Sequence, residues 1–464
     1  MRSRVCYPAA PVVAICLALG ACQPYERRPL DLSSHADGLR TRSVADEGVL
    51  AFAERVRSAE AGPANAAFDS SDGLDLREAE IAALVLNPKL RAARLAARVA
   101  AVGAEHAGRW DDPQLEADVL RVLESVDEPW LAGAGIGFTI PLSGRLAVEQ
   151  AQANAEALAA LEEARLAEWE VLGELRAAWF EWSAAGRRAE LYREYGEQLR
   201  RTGDAVERLA AAGEVQPLEA RLLGIERRAQ ALEATAATAR AREGRHRIAR
   251  LLGVLPSAPL ELHPALEAPE LAISDVDDAQ AVLAHPRVAL ARAEYEVAEE
   301  RMRREVRKQY PDLTIGPVYE HEEGQSRLGL GLGLPLPVFN RNRRGIAEAA
   351  AERDAARAEA EAAYEAALHD AAELRLRLDA ATARLRALRD EVAPLVDEQV
   401  REAEALVAAG EVDVSLLREM LSMALETKVQ LLDAAAEEAM VRSQLRSHLR
   451  PWRTPVPAQS GDGR

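Results

Sequence analysis

The stretch Arg327-Leu328-Gly329-Leu330-Gly331-Leu332-Gly333-Leu334 alternates, after its first residue, between leucine and glycine. Successive side chains of an extended strand point to opposite faces of a sheet. The alternation therefore predicts a β-strand, at about residues 327–334, with one leucine face and one glycine face. A strand whose two faces differ this much separates two different environments.

Three other short segments alternate in the same way. Residues 132–140 place alanine, isoleucine and phenylalanine on one face and mainly glycine on the other. Residues 113–121 place Glu116 and Asp118 opposite leucine, alanine and valine, and residues 312–320 oppose aspartate, threonine and glycine to leucine, isoleucine and tyrosine. A proline interrupts the rhythm of the last segment. We therefore predict four strands, two in each half of the chain.

The environment of these strands has two interpretations. A half-buried sheet of a soluble protein would also alternate. However, a face of glycine, threonine and carboxylates is typical of the lumen of a membrane barrel. Aromatic residues also flank the strands, as at the two interfaces of a membrane: Trp110, Trp130, Tyr310 and Tyr319. On this interpretation Glu116 and Asp118 face the lumen and favour cations there.

Four strands are too few to close a membrane barrel, because the smallest such barrels have about eight. An open sheet edge is not tolerated in lipid, since its backbone groups would stay unpaired. The barrel must then be shared between chains. Two chains would give a barrel that side chains fill, whereas three would give one wide enough for a channel. We therefore predict a homotrimer with a twelve-stranded barrel.

The sequence contains two copies of one unit, because four landmarks recur at a nearly constant offset of 196 to 198 residues. The paired landmarks are Asn87-Pro88 and His285-Pro286, Asp112-Pro113 and Tyr310-Pro311, Pro141 with Arg145 and Pro337 with Arg341, and Gly213-Glu214-Val215 and Gly410-Glu411-Val412. Each copy has a first helix (about 75–109 and 277–308), two strands, and a long helical stretch with one glycine break. The fold class is thus mainly α with a small β-barrel.

The domain boundaries follow from this duplication. Pro-rich residues 254–274 lie between the copies, and residues 23–70 and 451–464 carry no strong periodicity, so we expect poorly ordered arms there. The predicted segments are a signal peptide (1–21), a lipidated arm (22–74), the first repeat (75–253), a connector (254–276), the second repeat (277–450) and a tail (451–464).

The helical stretches are too long for a small globular domain. They run from about Arg145 to Ala212 and from about Arg341 to Ala409, with one proline at position 394. Each would span about 100 Å if continuous. Aromatic residues make up only 4% of the chain, which is thin for compact cores. Such helices pack on each other as coiled coils.

The glycine breaks predict two helix–turn–helix tips, near residues 213 and 410. On the structural interpretation, each tip is only a turn between two helices. The functional interpretation is a contact surface at the end of the helices far from the sheet, because apolar residues follow each glycine. The predicted contact residues are Gly213, Glu214, Val215, Leu218, Gly410, Glu411, Val412 and Leu416.

The N-terminus carries an export signal: Arg2 and Arg4 precede the short apolar run Val12–Leu19. Leu19-Gly20-Ala21-Cys22 resembles the lipobox of bacterial lipoproteins, which implies cleavage before Cys22 and acylation of its thiol. The alternative is an ordinary signal peptide cut near Ala21. The glutamine at position 23, rather than an aspartate, implies in the lipoprotein pattern export to the outer membrane.

Composition argues against several other functions. The formal charge of -18 gives nothing to neutralise phosphates in bulk, so we expect no nucleic-acid partner. The three cysteines all lie within the first 22 residues, which excludes a Cys-based zinc site in the body. His321 with Glu320, Glu322 and Glu323 forms the one histidine–carboxylate cluster, but a single histidine favours a solvated loop over a metal site. We find no catalytic motif or cofactor fingerprint, and predict no enzyme.

Taken together, these motifs resemble the TolC family of outer-membrane efflux proteins over about residues 70–450. The resemblance rests on the lipobox, the duplicated unit, Pro-Leu-Ser-Gly-Arg at 141–145, Pro-Leu-Pro-Val-Phe-Asn-Arg-Asn at 335–342, and the paired Gly-Glu-Val tips. The second motif, with Asn-Pro at 87–88, is most similar to the CzcC-like branch of heavy-metal exporters. Ser143 departs from that branch, which usually has glycine.

The resemblance implies a homotrimer with a twelve-helix periplasmic tunnel below the barrel. It also implies that the tips meet a periplasmic adaptor, which links them to an inner-membrane pump of the RND type. The expected function is a passive exit duct that is lipid-anchored in the bacterial outer membrane, with heavy-metal cations as the expected substrate. The alternative is a lipid-anchored periplasmic coiled-coil scaffold without a channel, which would not need the alternating strands.

Overall fold

The structure is a computed structural model of the 464-residue chain. It describes residues 25–59, 67–123, 130–213, 215–268, 277–322, 325–408 and 414–452. Helix α1 (Leu32–Thr41) belongs to a separate unit that ends at Arg42. The carboxylate of Asp31 caps it by accepting hydrogen bonds from the backbone of Ser33 and Ser34. All other elements belong to the second unit, which begins at Ser43.

The element order of the second unit recurs, as the duplication predicts. The first part contains α2 (Glu47–Ala59), α3 (Leu76–Leu86), α4 (Pro88–His106), β1 (Gln114–Arg121), β2 (Trp130–Ile140), α5 (Arg145–Ala212) and α6 (Pro217–Leu252). The second part contains α7 (Asp278–Ala281), a 3₁₀ turn (Val282–Ala284), α8 (Pro286–Arg307), β3 (Leu313–Glu322), β4 (Gln325–Gly333), α9 (Arg343–Arg386), a π-helix (Ala387–Val392), α10 (Ala393–Ala408) and α11 (Val414–Leu449).

The expectation of a poorly ordered N-terminal arm is wrong for residues 47–59, which form α2. Its apolar positions Val49, Phe52 and Val56 recur at helical spacing and are buried. They join the largest core cluster, which also contains residues of α3, α5 and α6. The connector joins the same core, because Val254 and Leu260 are buried in it. Neither segment has a long hydrophobic periodicity, and both are ordered by the burial of these side chains.

The predicted first helix of each repeat is broken in the structure at the residue before a proline. Pro88 disfavours the helical conformation at Asn87, which is extended with φ −63° and ψ 125°. The Asn87 side chain then caps α4, since its oxygen accepts from the backbone N–H of Lys89 at 2.8 Å and of Leu90 at 3.2 Å. Its amide donates to the carbonyl of Leu251 at 2.7 Å, which ties the break to the end of α6.

His285 takes the place of Asn87 in the second repeat. Its Nδ1 accepts a hydrogen bond from the backbone N–H of Arg287 at 3.3 Å and so caps α8. The ring is buried, packs edge-on against Trp169 at 4.8 Å between centroids, and lies 4.4 Å from the ring of His448. His448 donates through Nε2 to the carbonyl of Ala367 at 2.7 Å. The cluster therefore joins α5, α8, α9 and α11.

The long helices form one layer. α5 has 68 residues, and α9, the π-helix and α10 continue each other from Arg343 to Ala408. The π-helix comes directly before the turn that contains Pro394. In a regular helix, proline donates no backbone hydrogen bond and its ring clashes with the carbonyl four residues earlier. The extra residue of a π turn accommodates the ring. α6 packs on α5, α5 on α11, and α11 on both α9 and α10. The layer thus has α6 at one edge and α9–α10 at the other.

The two repeats correspond in space at an offset of 198 residues. Glu116 pairs with Gly135 in the first hairpin, and Thr314 pairs with Gly333 in the second, 198 residues later on both strands. Gly144 and its counterpart Asn342 both adopt the left-handed conformation immediately before the long helix. The offset of 196 that the sequence landmarks give at this junction is therefore wrong, and Arg343 rather than Arg341 corresponds to Arg145.

His285 makes the stability of this helix layer depend on pH. Burial, with the neighbouring His448 and Arg287, lowers the pKa of His285 to about 3. The folded chain therefore holds the neutral ring, whereas the unfolded chain binds a proton below a pKa of about 6.5. The contribution of His285 to the free energy of unfolding is therefore fully present above about pH 6.5. It is lost as the pH falls from there toward about 3. Protonation of this group in the unfolded chain should lower the free energy of unfolding of the wild-type protein by about 1–2 kcal/mol per copy between pH 7 and pH 5.

The matched control is His285→Asn, because asparagine caps the equivalent helix in the first repeat and does not titrate. Urea unfolding followed by circular dichroism at both pH values measures the difference. The variant should show a smaller loss of stability on acidification than the wild type. An equal loss in both proteins would show that His285 does not carry this pH dependence.

Candidate functional site: a two-faced sheet and two helix turns

The four strands form one antiparallel sheet in the order β1-β2-β3-β4. Each strand pairs with its neighbour in the chain, so β2 and β3 join the two repeats. Within the described part of the chain, β1 and β4 each pair on one side only. Both edges therefore carry backbone N–H and C=O groups that point away from the sheet.

One face of the sheet is apolar and uncovered. Leu328, Leu330 and Leu332 of β4 are 81%, 64% and 67% exposed. The register places side chains of the other strands on the same face: Leu115, Ala117, Val119, Ala132, Ala134, Ile136, Phe138, Ile140, Leu313, Ile315, Pro317 and Tyr319. A continuous apolar surface of this size marks a contact with another protein or with lipid.

The opposite face carries glycines and carboxylates. Asp118 lies directly across Gly133, and any side chain on that glycine would collide with its carboxylate. A Cβ on Gly331 would come 2.9 Å from Val318 Cγ2. The glycines thus leave room for side chains that extend from the neighbouring strand. The predicted lumen-facing residues Glu116 and Asp118 both lie on this face.

Sequence reasoning missed two further carboxylates on this face. Glu320 and Glu322 were assigned to the end of a strand and a loop, but β3 continues to Glu322 and places both on the glycine face. Glu322 forms an ion pair with Arg327 of β4 at 3.4 Å. Glu320 already lies within the predicted strand 312–320, and continuing its alternation two residues further finds Glu322. The face is therefore net acidic.

The histidine–carboxylate cluster of the sequence is divided by the strand. His321 lies on the apolar side of β3, opposite to Glu320 and Glu322. Its Nδ1 lies 3.2 Å from the hydroxyl of Ser326, which also contacts the Tyr319 hydroxyl at 2.9 Å. Glu323 lies outside the described residues. Among those that are described, no group of three or more histidine, cysteine or acidic residues could hold a metal ion.

The proline of β3 changes the sheet locally without ending the strand. Pro317 has no N–H to donate, and the pairing of β2 with β3 is interrupted between Val318 and Ile315. Gly316 approaches the carbonyl of Ile136 so closely that no Cβ would fit there. Pro317 still pairs with Leu330 of β4. The alternation of the two faces therefore continues through the proline.

Aromatic residues lie near both ends of the sheet. Trp110 and Tyr310 precede β1 and β3 on the side of the helices, whereas Trp130 and Tyr319 lie toward the opposite end. All four side chains are exposed. β2 has 11 residues, and a tilted strand of about 9–11 residues is long enough to cross the apolar part of a bilayer. The sheet thus has the dimensions and the aromatic borders of a membrane-spanning sheet.

Arg145 fixes the sheet to the helix layer. It is the first residue of α5 and forms ion pairs with Asp312 at 2.8 Å, with Glu149 at 3.1 Å and with Asp111. Burial opposes its charge, but hydrogen bonds to Glu149 and Asp312 outweigh this effect and raise the pKa of Arg145. Asp111 precedes β1 and Asp312 precedes β3, so one guanidinium joins the junctions of both repeats. Its counterpart Arg343 is exposed.

The first predicted tip is a helix turn in the structure. Gly213 has φ 81° and ends α5, where its N–H donates to the carbonyls of Leu209 and Ala210. Pro217 then begins α6. Leu218 is exposed, but Val215 is half-buried and packs against a core cluster of α5, α6, α10 and α11. Of the contact residues predicted for this tip, Leu218 is therefore exposed, whereas Val215 is half-buried.

The second predicted tip lies mostly outside the described residues. This holds for Gly410, Glu411 and Val412, as it does for Glu214 of the first tip and for Cys22 at the N-terminus. Leu416, near the start of α11, is described and exposed. Among the described helices, none is long and apolar enough to cross a membrane.

Comparisons with known proteins agree with this geometry. Residues 82–253, which cover most of the first repeat, match the family model described as "Outer membrane efflux protein". A search of the curated proteins gives no significant match. Structural similarity extends over most of the chain.

Three solved structures illustrate that similarity. The outer-membrane channel OprN is 18% identical with a TM-score of 0.72, covering 94% of this chain and 100% of its own. The outer membrane protein VceC of Vibrio cholerae is 17% identical with a TM-score of 0.69, covering 81% and 95%. The outer membrane channel MtrE of Neisseria gonorrhoeae is 16% identical with a TM-score of 0.67, covering 81% and 88%. The chain shares the fold of these channels.

Proposed function

We propose that this chain, whose first repeat matches the outer membrane efflux protein family, is an outer-membrane exit duct for efflux. The observation that carries the proposal is the sheet with one apolar and one acidic glycine face. Such a sheet separates lipid from water when its apolar side faces the bilayer. The long helices then extend from the sheet into the periplasm.

The free edges of the sheet support a homotrimer. Unpaired backbone groups at β1 and β4 are costly in lipid, so both edges require strands from other copies. Three copies give twelve strands, and the lack of side chains at the glycine positions widens the interior. The helix layers of the three copies would continue this barrel as a tunnel.

The conducted substrate is proposed to be cationic, with heavy-metal ions as the specific candidates. Support comes from the glycine face, where Glu116, Asp118 and Glu320 have no ion pair among the described residues. A ring of carboxylates repeated in each copy raises the local concentration of cations. Selection and energy would come from an inner-membrane RND-type pump, reached through a periplasmic adaptor.

We further propose that Cys22 is the acylated N-terminus and anchors the chain to the outer membrane. The support is Leu19-Gly20-Ala21-Cys22 behind a short apolar run. Two or more acyl chains would hold the chain stably in a bilayer. Metabolic labelling with a fatty-acid probe should mark the wild type and not Cys22→Ser, and a labelled variant would refute the assignment.

The orientation of the sheet predicts different accessibility of two neighbouring positions. Val119→Cys lies on the apolar face and Asp118→Cys on the glycine face of the same strand. In outer-membrane preparations, a membrane-impermeant thiol reagent should label Asp118→Cys at least several-fold faster than Val119→Cys, because lipid covers position 119. Mass spectrometry of the labelled protein measures both rates.

The matched control is the same pair of variants after solubilisation and unfolding, where both thiols should react equally. Equal labelling in the intact membrane would contradict the two-solvent sheet. Equal labelling of a protein that stays with the membrane at high salt would favour the lipid-anchored periplasmic scaffold.

The helix tips are proposed to contact the adaptor. Leu416→Asp places a charge on an exposed position near the second turn, and an unpaired charge buried in a small apolar contact costs more than the contact supplies. The variant should assemble normally but reduce efflux-dependent resistance to about the level of cells without the protein. Crosslinking to the adaptor should be lost in parallel.

Met423→Asp is the matched control, because it is also exposed on α11 but lies about two turns from the tip. It should retain resistance and crosslinking. If Leu416→Asp behaves like Met423→Asp in both assays, the adaptor contacts another surface.

A further inference from the structure

The four described strands divide their charged side chains unequally between the two faces of the sheet. Every carboxylate of these strands lies on the glycine face: Glu116, Asp118, Glu320 and Glu322. Arg327 lies there too and pairs with Glu322. Arg121, the last residue of β1, is the only arginine, lysine, aspartate or glutamate that these strands place on the apolar face. The apolar face therefore carries a positive charge at its outer end, the end away from the helices.

A tryptophan holds this arginine at the border of the apolar face. Arg121 pairs directly with Trp130 of β2, and its guanidinium carbon lies 5.5 Å from the centroid of that ring. Such a contact is a cation–π interaction. Arg121 is exposed and makes no ion pair with any described residue. An arginine that faces lipid is costly at the middle of a bilayer but is tolerated at the headgroup level, where tryptophan is also enriched.

His321 adds a hydrogen-bond donor to the same end of the same face. It pairs with Ala132, which follows Trp130 by two residues on β2. Its Nδ1 lies 3.2 Å from the hydroxyl of Ser326, which the Tyr319 hydroxyl contacts at 2.9 Å. When Ser326 donates to Nδ1, the neutral ring carries its hydrogen on Nε2. That N–H has no acceptor among the described residues.

These side chains fit an anionic group that is attached to an apolar one. Arg121 and His321 supply donors, and no carboxylate of the described strands lies on their face. The planar guanidinium matches the spacing of phosphate oxygens. The small side chain of Ala132 leaves room between Val119 and His321, its partners on either side. The apolar face continues from there toward the helices and offers a surface for acyl chains.

We propose that Arg121, Trp130 and His321 bind the phosphate of a lipid in the outer leaflet of the outer membrane. This site rests on the proposed function, which places the apolar face in the bilayer and the helices in the periplasm. The acyl chains of the lipid lie on the apolar face, and its phosphate lies at the outer end. Basic side chains at a membrane surface select lipids by the negative charge of their headgroups. The acidic glycine face repels the same phosphate, so the lipid stays outside the passage.

Native mass spectrometry of the full-length protein in mild detergent tests the site by counting bound lipids per copy. The probes are phosphatidic acid, diacylglycerol with the same acyl chains, and inorganic phosphate. Phosphatidic acid should bind at least about tenfold more tightly than diacylglycerol, and inorganic phosphate should not displace it. Arg121→Gln should weaken the binding of phosphatidic acid about tenfold, through the loss of a charge-assisted hydrogen bond. His321→Ala should weaken it about fivefold.

Arg327→Gln is the matched control, because it removes an arginine near the same end of the sheet but from the opposite face. It should keep the affinity for phosphatidic acid within about twofold. An equal loss in Arg327→Gln and Arg121→Gln, or no loss in either Arg121→Gln or His321→Ala, would overturn the site. Equally tight binding of diacylglycerol, or displacement of the lipid by inorganic phosphate, would also overturn it.

Thiol labelling at positions 118 and 119 separates this site from the proposed function. Faster labelling of Asp118→Cys than of Val119→Cys, together with no preference for phosphatidic acid, would refute the lipid site and leave the exit duct intact. Equal labelling in the intact membrane would refute the two-solvent sheet, and with it the lipid site that depends on that sheet.

Discussion

The structure depends on one constraint: the unpaired backbone groups at the edges of the sheet need hydrogen-bond partners, and its apolar face needs a cover. β1 and β4 leave their outer edges unpaired in the described chain, and the leucine face has no cover. Lipid could cover the face, but it could not satisfy the edges, which is why we propose that strands from other copies pair with them. The helix layer also has two edges, and exposed apolar side chains lie on α6 at one edge and on α10 at the other.

The duplication explains how the two parts meet, and the repeats have diverged where they meet. Arg145 ties Asp111, Asp312 and α5 together, while its counterpart Arg343 is exposed. A single arginine of the first repeat thus contacts the residues that precede a strand in both repeats. The caps differ as well, because Asn87 satisfies a carbonyl of α6, whereas His285 places a buried ring beside Trp169 and His448. The second repeat thus has a titratable side chain at this cap, where the first has an amide.

Alternation predicted the strands and their faces, because a two-residue period is visible in a few residues. The mainly helical fold with a small antiparallel sheet is confirmed. The burial of α2 was missed, since its stripe of Val49, Phe52 and Val56 is short and its partners lie far along the chain. Glu322 lies beyond the predicted strand end at residue 320, because β3 is extended by its pairing with β4. The half-burial of Val215 likewise arises from packing against a core cluster of α5, α6, α10 and α11, which no local pattern contains.

We propose that the acidic glycine face lines a water-filled passage across the outer membrane. Conductance of the purified protein in a planar bilayer, with a salt gradient across it, tests this proposal. We expect discrete current steps of uniform size and a reversal potential that shows preference for cations. The preference should decrease when Glu116→Gln and Asp118→Asn are combined, because the fixed negative charge of the passage falls. Inserted protein that conducts no ions, or a preference that the two substitutions leave unchanged, would contradict it.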